Sequence, residues 1–455
     1  MEMILEFLRD VLSQPALLIG IMSCVGLIAL KRPFHKIMTG TLKPILGYLM
    51  LAAGAGVIVS NLDPLGKMIE HGFHITGVVP NNEAIVAVAQ KVLGVETMSI
   101  LVVGLLMNLL IARFTKFKYV FLTGHHSLFM ACLMSAVLGT AGLSGIELIL
   151  VGGFLMGAWS AISPAIGQSY TSKVTDGDEI ALGHFGSLGY YLSEWVAKYV
   201  GKAEESTEDI EIPEKWGFLR DSTLSTALTM IVFYLIAAIA AGSEFVATLS
   251  GSMSPYLFAV MSAMNFAVGV AIVYSGVRMI LGDLIPAFQG IATKIIPNAI
   301  PAVDCAVFFT YAPTAVVLGF ISSFIGGIIG MLILGAVGGV LIIPGLVPHF
   351  FCGATAGIYG NATGGRRGAA VGAFLNGLAI TFLPALALPV LGQLGFQNTT
   401  FGDADFAVMG LVLGNAFEWI GMAGIYGVVV IAALVLIIPN FIKTKGKVIN
   451  YVEEE

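Results

Sequence analysis

The sequence predicts an all-α polytopic membrane protein with about eleven transmembrane helices. Of its 455 residues 57% are hydrophobic and 11% are charged, whereas a soluble domain carries about 25% charged residues. The 22 basic and 28 acidic side chains are too few to cover a soluble protein of this length. Its 56 glycines and 17 prolines lie largely in apolar runs, where membrane helices tolerate kinks and close packing.

Long stretches without Asp, Glu, Lys or Arg supply the predicted spans. They are residues 11–30, 44–62, 119–146, 148–172, 223–242, 255–277, 305–365, 368–402 and 420–439. About 20 apolar residues cross the hydrocarbon, so the stretch 305–365 can hold two spans. Residues 1–14 are acidic and lack the basic region of a cleavable signal. We therefore expect residues 11–30 to be a retained first span.

Basic clusters predict the sidedness, because short cytoplasmic loops collect Lys and Arg. The clusters are Lys31, Arg32, Lys36 and Lys43; Arg113, Lys116 and Lys118; Arg366 and Arg367; and Lys443, Lys445 and Lys447. The acidic segment 61–96 and the pair Asp403 and Asp405 are expected outside. This arrangement puts the amino terminus outside and the carboxyl terminus inside.

We expect one membrane-embedded domain over residues 1–455, made of two halves. The first covers about residues 11–200 and the second about 223–439, joined by a charged cytoplasmic loop at 198–221. Four segments, 85–94, 180–200, 284–304 and 405–418, are too polar or too glycine-broken for simple spans. They predict re-entrant or interface segments, because irregular backbone at membrane depth must line a cavity or be covered by protein.

Ionisable residues at membrane depth are candidates for a functional site. His125 and His126 are adjacent, so their rings point to different helix faces and at most one is expected to line a site. A histidine that is hydrogen-bonded within the bundle is the equal alternative. His184 lies in a glycine-spaced segment that also fits an interface helix.

Asp304 is the one acid between Asp283 and Asp403. It fits a ligand-binding acceptor and a helix cap equally well. Thr355 belongs to a glycine-rich segment, 350–367, that exposes amides and small hydroxyls. This segment ends at Arg366 and Arg367, lacks the lysine and Ser/Thr of a P-loop, and so does not predict nucleotide binding.

No catalytic, metal-binding or cofactor-binding motif is present in the sequence. The four cysteines, Cys24, Cys132, Cys305 and Cys352, have no metal-ligand spacing and are predicted to be small buried hydrophobic residues. Glu418 is predicted to serve in helix packing. A net charge of −6 with basic residues confined to loops excludes nucleic acid as a partner.

Several motifs, in this order and spacing, resemble the ascorbate-specific enzyme IIC of the bacterial phosphoenolpyruvate-dependent sugar phosphotransferase system (PTS). They are Leu122-Thr123-Gly124-His125, Gly183-His184, Ala302-Val303-Asp304-Cys305-Ala306, Tyr311-Ala312-Pro313-Thr314-Ala315-Val316-Val317 and Gly364-Gly365-Arg366-Arg367. The resemblance covers essentially the whole chain. It implies eleven spans in inverted repeats, a homodimer, and a core domain that moves against a dimerisation scaffold.

The resemblance also implies that His125, His184 and Asp304 bind substrate. Family members of the enterobacterial type have glutamines shortly after each histidine, where this sequence has Phe129 and Phe185. Two lost amides change a polar pocket. L-ascorbate, another sugar acid and a neutral polyol therefore all stay open as ligands.

Two hypotheses about function follow. In the first, the chain carries ascorbate or a related sugar acid through the bacterial inner membrane to a separate phosphorylated IIB subunit, itself supplied by IIA. In the second, it is a proton- or sodium-coupled secondary transporter that uses His125, His184 or Asp304 for coupling. Residues 198–221 with Arg366 and Arg367 are candidate docking surfaces for IIB.

Overall fold

The computed structural model describes residues 11, 14–74, 77–80, 82–177, 179–210, 222–392 and 399–441. Residues 1–10, the later part of the polar loop (211–221) and the three lysines predicted inside after the last helix lie outside these ranges. The helices of the described part are α1 Pro15–Ala29, α2 Phe34–Phe73, α3 Asn82–Phe114, α4 Gly124–Thr140, α5 Gly145–Thr175, α6 Ser187–Val200, α7 Ser222–Ala241, α8 Ser243–Ser250, α9 Pro255–Lys294, α10 Pro313–Ala336, α11 Leu346–Gly392, α12 Ala404–Ile420 and α13 Met422–Phe441.

The predicted all-α multi-pass class is confirmed. Among the described residues, seven helices are long and apolar enough to cross a membrane, or eight if the bent pair Thr226–Ala241 and Ser243–Ser250 is one span. The count of eleven is not confirmed. Helices α4, α6 and α12 have only 17, 14 and 17 residues, short of the roughly 20 that a span needs. Helix α11 also runs as one element through a break at Gly365 (φ 56°, ψ −152°).

Glycines let α2 and α9, which have 40 residues each, pack backbone to backbone. A Cβ on Gly54 would lie 2.7 Å from the carbonyl oxygen of Gly269, and one on Gly47 would lie 2.9 Å from that of Gly276. Small residues permit such approaches between membrane helices. The paired numbers run in opposite directions, so the helices are antiparallel.

Short strands interrupt the helices at two places. One sheet has three strands in the order β2 (Tyr119–Phe121), β4 (Ile300–Val303), β3 (Ala181–Leu182), and both pairings are parallel. The other pairs β1 (Val79–Pro80) with β5 (Thr399–Thr400), also in parallel. A 3₁₀ turn, Cys305–Thr310, follows β4. Such irregular backbone occurs inside a membrane protein only where other protein covers it or where it lines a cavity.

Candidate ligand-binding site

The three-stranded sheet brings together the three residues that the resemblance implicates. Each strand is followed within four residues by one of them: β2 by His125, β3 by His184 and β4 by Asp304. Because the strands are parallel, their carboxyl ends meet at one edge. Parallel pairing thus delivers side chains from positions up to 179 residues apart to one place.

Backbone hydrogen bonds extend the sheet up to the site. Leu122 N–H donates to the Ala302 carbonyl at 2.9 Å, and Gly183 N–H donates to the Val303 carbonyl at 2.7 Å. A Cβ at Gly183 would collide with the carbonyl group of Ala302. Glycine is therefore required where the chain turns from β3 to His184.

The edge of the sheet faces a cavity of about 790 Å³. His125, His184 and Asp304 all line it, and His125 Nε2 lies 3.4 Å from Asp304 Oδ2. The opposite wall is α2, from Tyr48 to Glu70, a length of about 33 Å at 1.5 Å per residue. The cavity therefore lies between the strand-bearing part of the molecule and the long helix α2.

Tyr48 and Asp304 hold the His125 ring from its two sides. The Tyr48 hydroxyl lies 3.2 Å from His125 Nδ1. The carboxylate near Nε2 favours the proton on that nitrogen, which leaves Nδ1 to accept from the hydroxyl. The hydrogen bond from the Tyr48 hydroxyl to His125 therefore links α2 to the residues that follow the strands.

His184 is oriented by its own turn. Gly186 N–H donates to His184 Nδ1 at 3.1 Å, and the Tyr190 hydroxyl lies 2.9 Å from the same nitrogen. A backbone N–H can only donate, so Nδ1 is unprotonated in the neutral ring and Nε2 carries the hydrogen. His184 therefore offers a hydrogen-bond donor through Nε2.

His126 also lines the cavity, whereas the sequence led us to expect at most one of the adjacent histidines there. Both lie in the first turn of α4, which begins at Gly124, at the open end of the helix beside the cavity. Phe185 N–H donates to His126 Nδ1 at 3.3 Å, so this ring too carries its hydrogen on Nε2. The His126 and His184 ring centroids are 3.8 Å apart.

The two phenylalanines that replace family glutamines differ in their surroundings. Phe129 lines the cavity, with its ring centroid 5.8 Å from that of His125. Phe185 is fully buried and stacks on Phe121 at 4.6 Å. Replacement of an amide by a phenyl ring thus changes the cavity wall directly at Phe129.

Thr355 is buried, and its hydroxyl donates to the Phe351 carbonyl at 2.8 Å. Phe351, one turn earlier on α11, lines the cavity, and Thr355 is not among the lining residues. Its predicted role in ligand binding stays a prediction.

Sequence reasoning missed Asp403 as a cavity residue and assigned it to an outside turn. Asp403 is buried and lines the cavity. Its carboxylate accepts from Asn82 Nδ2 at 2.6 Å and from the Cys352 thiol at 2.9 Å. Asn82 and Asp403 are 321 residues apart, and no local sequence pattern predicts their hydrogen bond. Cys352 is buried, as predicted, but it also donates a hydrogen bond.

In the described part of the chain, two clusters bring potential metal ligands within 4.8 Å of one another: His126, His184 and Asp403, and His184, Asp304 and Cys305. A histidine that binds a metal through Nε2 normally donates its Nδ1–H to an acceptor. In His126 and His184 a backbone N–H donor faces Nδ1 instead. The histidines are therefore arranged to donate hydrogen bonds, which suits a ligand with oxygen acceptors better than a metal ion.

At another part of the molecule, the described part of the polar loop is fixed to helix ends. Glu208 accepts from Thr314 N–H at 3.0 Å and Ala315 N–H at 3.1 Å, which caps the first turn of α10. Arg366 N–H donates to the Glu205 carbonyl at 2.8 Å, next to the break in α11. The two segments suggested for docking are therefore in contact.

The fold and the site define a multi-pass membrane protein with a cavity between its helices that is lined in part by histidines and carboxylates. A model of the PTS system sugar-specific permease component family matches residues 10–405, and the chain belongs to this family. It is 26% identical to the ascorbate-specific PTS system EIIC component of Mycoplasma pneumoniae, in an alignment that covers 78% of this chain. The alignment spans 62% of the length of that relative.

Proposed function

We propose that the chain carries L-ascorbate, or a related sugar acid, across the bacterial inner membrane for phosphorylation by a separate EIIB, which EIIA supplies. The observation that carries this proposal is the convergence of His125, His184 and Asp304 on one cavity wall. The ascorbate-specific relative supports the choice of ligand.

The chemistry of the site fits such a ligand. His184 and His126 offer Nε2–H donors, which pair with the enediolate oxygens of ascorbate. Asp304 is 8% exposed and accepts from ligand hydroxyls. Phe129 supplies an apolar contact for one face of the ring. Thr355 is proposed as a further ligand-binding residue, one helical turn from Phe351 on the cavity wall.

EIIB is proposed to dock where the polar loop meets the α11 break. The Glu205 carbonyl accepts from Arg366 N–H at the break, and Glu208 ties the same loop to the start of α10. The amino terminus is proposed outside and the carboxyl terminus inside, on the strength of the basic clusters. The homodimer and the two-repeat division at 198–221 follow from the resemblance and complete the proposal.

Transport in proteoliposomes tests the mechanism. With phosphorylated EIIB inside, we expect external ascorbate to accumulate only as its phosphate ester, and without EIIB we expect no accumulation above equilibrium. Accumulation of unmodified ascorbate under a proton or sodium gradient, without EIIB, would contradict group translocation and support the secondary transporter. Protein reconstituted with Asp304→Asn is the transport-deficient control.

A further inference from the structure

Asp403 is a buried carboxylate whose hydrogen-bond donors are neutral. It is 5% exposed, and its donors are the Asn82 amide and the Cys352 thiol. Burial of a carboxylate without a compensating charge or a full set of donors is costly. The position of Asp403 on the cavity wall therefore needs a reason beyond packing.

His184 does not neutralise this carboxylate. His184 Nδ1 lies 3.9 Å from Asp403 Oδ1, which is too long for a hydrogen bond. The same nitrogen already accepts from Gly186 N–H, so in the neutral ring it has no hydrogen to give. The Asp403 carboxylate and the His184 imidazole are therefore close to each other but not hydrogen-bonded.

Asn82 fixes the orientation of the Asp403 carboxylate. Its Nδ2 donates to Asp403 Oδ2, while its Oδ1 accepts from Gly402 N–H at 2.9 Å. The pairing of β1 with β5 brings the two segments together just before these residues. Each carboxylate oxygen can accept about two hydrogen bonds. From the described residues each accepts one, which leaves each oxygen an acceptor position for a ligand.

We propose that Asp403 is a further ligand-binding residue, which accepts hydrogen bonds from the side-chain hydroxyls of ascorbate. The inference rests on the proposed function. Side-chain atoms of His184 lie within 4.8 Å of those of Asp304 and of those of Asp403. The site therefore has two carboxylate acceptors close to one imidazole donor. In this assignment Asp304 accepts a hydrogen bond from the ring hydroxyl, and Asp403 accepts hydrogen bonds from the diol at the other end of the ligand.

A pair of ligands that differ only in the diol tests this assignment. Isothermal titration calorimetry of the purified full chain, without oxygen, would compare L-ascorbate with 5,6-dideoxy-L-ascorbate. Wild-type protein is expected to bind ascorbate about 10- to 100-fold more tightly. Asp403→Asn is expected to reduce this preference to about threefold or less, with its affinity for the dideoxy compound within about threefold of wild type.

Asp405→Asn is the matched control. Asp405 is also buried, two residues away, but it accepts from Trp159, Ser187 and Leu188 N–H and is not among the residues that line the cavity. This variant is expected to keep the preference for ascorbate even where its thermal stability falls.

The assignment is overturned if Asp403→Asn keeps the full preference, or if it loses affinity equally for both ligands, as a purely structural role would require. Wild-type protein that binds neither compound would overturn the ascorbate proposal and this inference with it. Wild-type binding with an unchanged Asp403→Asn preference would overturn the inference alone.

Discussion

The α2–α9 pair and the strand-bearing part of the molecule use their backbones in opposite ways. In the pair, two 40-residue helices stay helical through Pro44, Pro64 and Pro286 and meet through glycines such as Gly54 and Gly269. In the strand-bearing part, short strands pair across long sequence distances and end at His125, His184 and Asp304. The long helices α2 and α9 thus pack against each other, and the candidate ligand-binding residues lie where helices are interrupted by strands. An interruption can turn several polar side chains towards one cavity.

The largest expected effect comes from the turn after β3. Gly183→Ala adds a methyl group that collides with the carbonyl group of Ala302, so it disturbs the strand that bears Asp304 as well as the turn that bears His184. We expect ascorbate affinity to fall by at least about 100-fold and the unfolding free energy by about 1–3 kcal/mol. Calorimetric titration and thermal unfolding measure the two effects.

Gly56→Ala is the control for that substitution. Gly56 lies on α2, and a Cβ there meets nothing within 4 Å. Affinity and stability should both stay close to wild type. If Gly183→Ala also binds ascorbate normally, the sheet does not position the site.

A substitution in the α2–α9 pair should lower stability more than ligand affinity. Gly269→Val places a side chain where a Cβ would lie 2.9 Å from the Gly54 carbonyl oxygen, which should cost about 1–3 kcal/mol of unfolding free energy. None of the described side chains of α9 lines the cavity, so the folded fraction should bind ascorbate within about threefold of wild type, a difference of about 0.7 kcal/mol.

Gly282→Val provides the comparison on the same helix, since a Cβ there has nothing within 4 Å. It should unfold at a higher temperature than Gly269→Val. Equal thermal stability of the two variants would argue against glycine packing as the source of the α2–α9 contact.

The smallest change in free energy is expected at Tyr48, where α2 meets the strand-bearing part of the molecule. Tyr48→Phe removes the hydroxyl that lies 3.2 Å from His125 Nδ1 and leaves the aromatic ring. Loss of one such hydrogen bond is worth about 0.5–1.5 kcal/mol, so ascorbate affinity should fall about 2- to 12-fold in a binding assay.

The Tyr234 hydroxyl donates to the Asn61 carbonyl, and Tyr234 is not among the residues that line the cavity. Tyr234→Phe should therefore leave ascorbate affinity unchanged. If Tyr48→Phe binds ascorbate as tightly as Tyr234→Phe and wild type do, the hydroxyl contact with His125 plays no part in binding.

Local patterns predicted the membrane class well, because apolar length and scarce charge are properties of single segments. The motifs singled out His125, His184 and Asp304, which the structure brings to one cavity. The adjacency of His125 and His126 misled the helix-face argument, because both line that cavity at the start of α4. The sheet, the Asn82–Asp403 pair and the Cys352 hydrogen bond depend on contacts between distant segments. No periodicity encodes such contacts, and the charge pattern alone did not place Asp403 on the cavity wall.

The central claim is that the residues after β2, β3 and β4 bind the ligand. The most direct test is calorimetric titration of ascorbate into wild type, Asp304→Asn, His184→Ala and His349→Ala. His349 is a buried histidine that bonds Ser323 at 2.9 Å and is not among the residues that line the cavity. We expect at least about 10-fold weaker binding for Asp304→Asn and for His184→Ala, and wild-type affinity for folded His349→Ala. Unchanged affinity in both cavity variants would contradict the account.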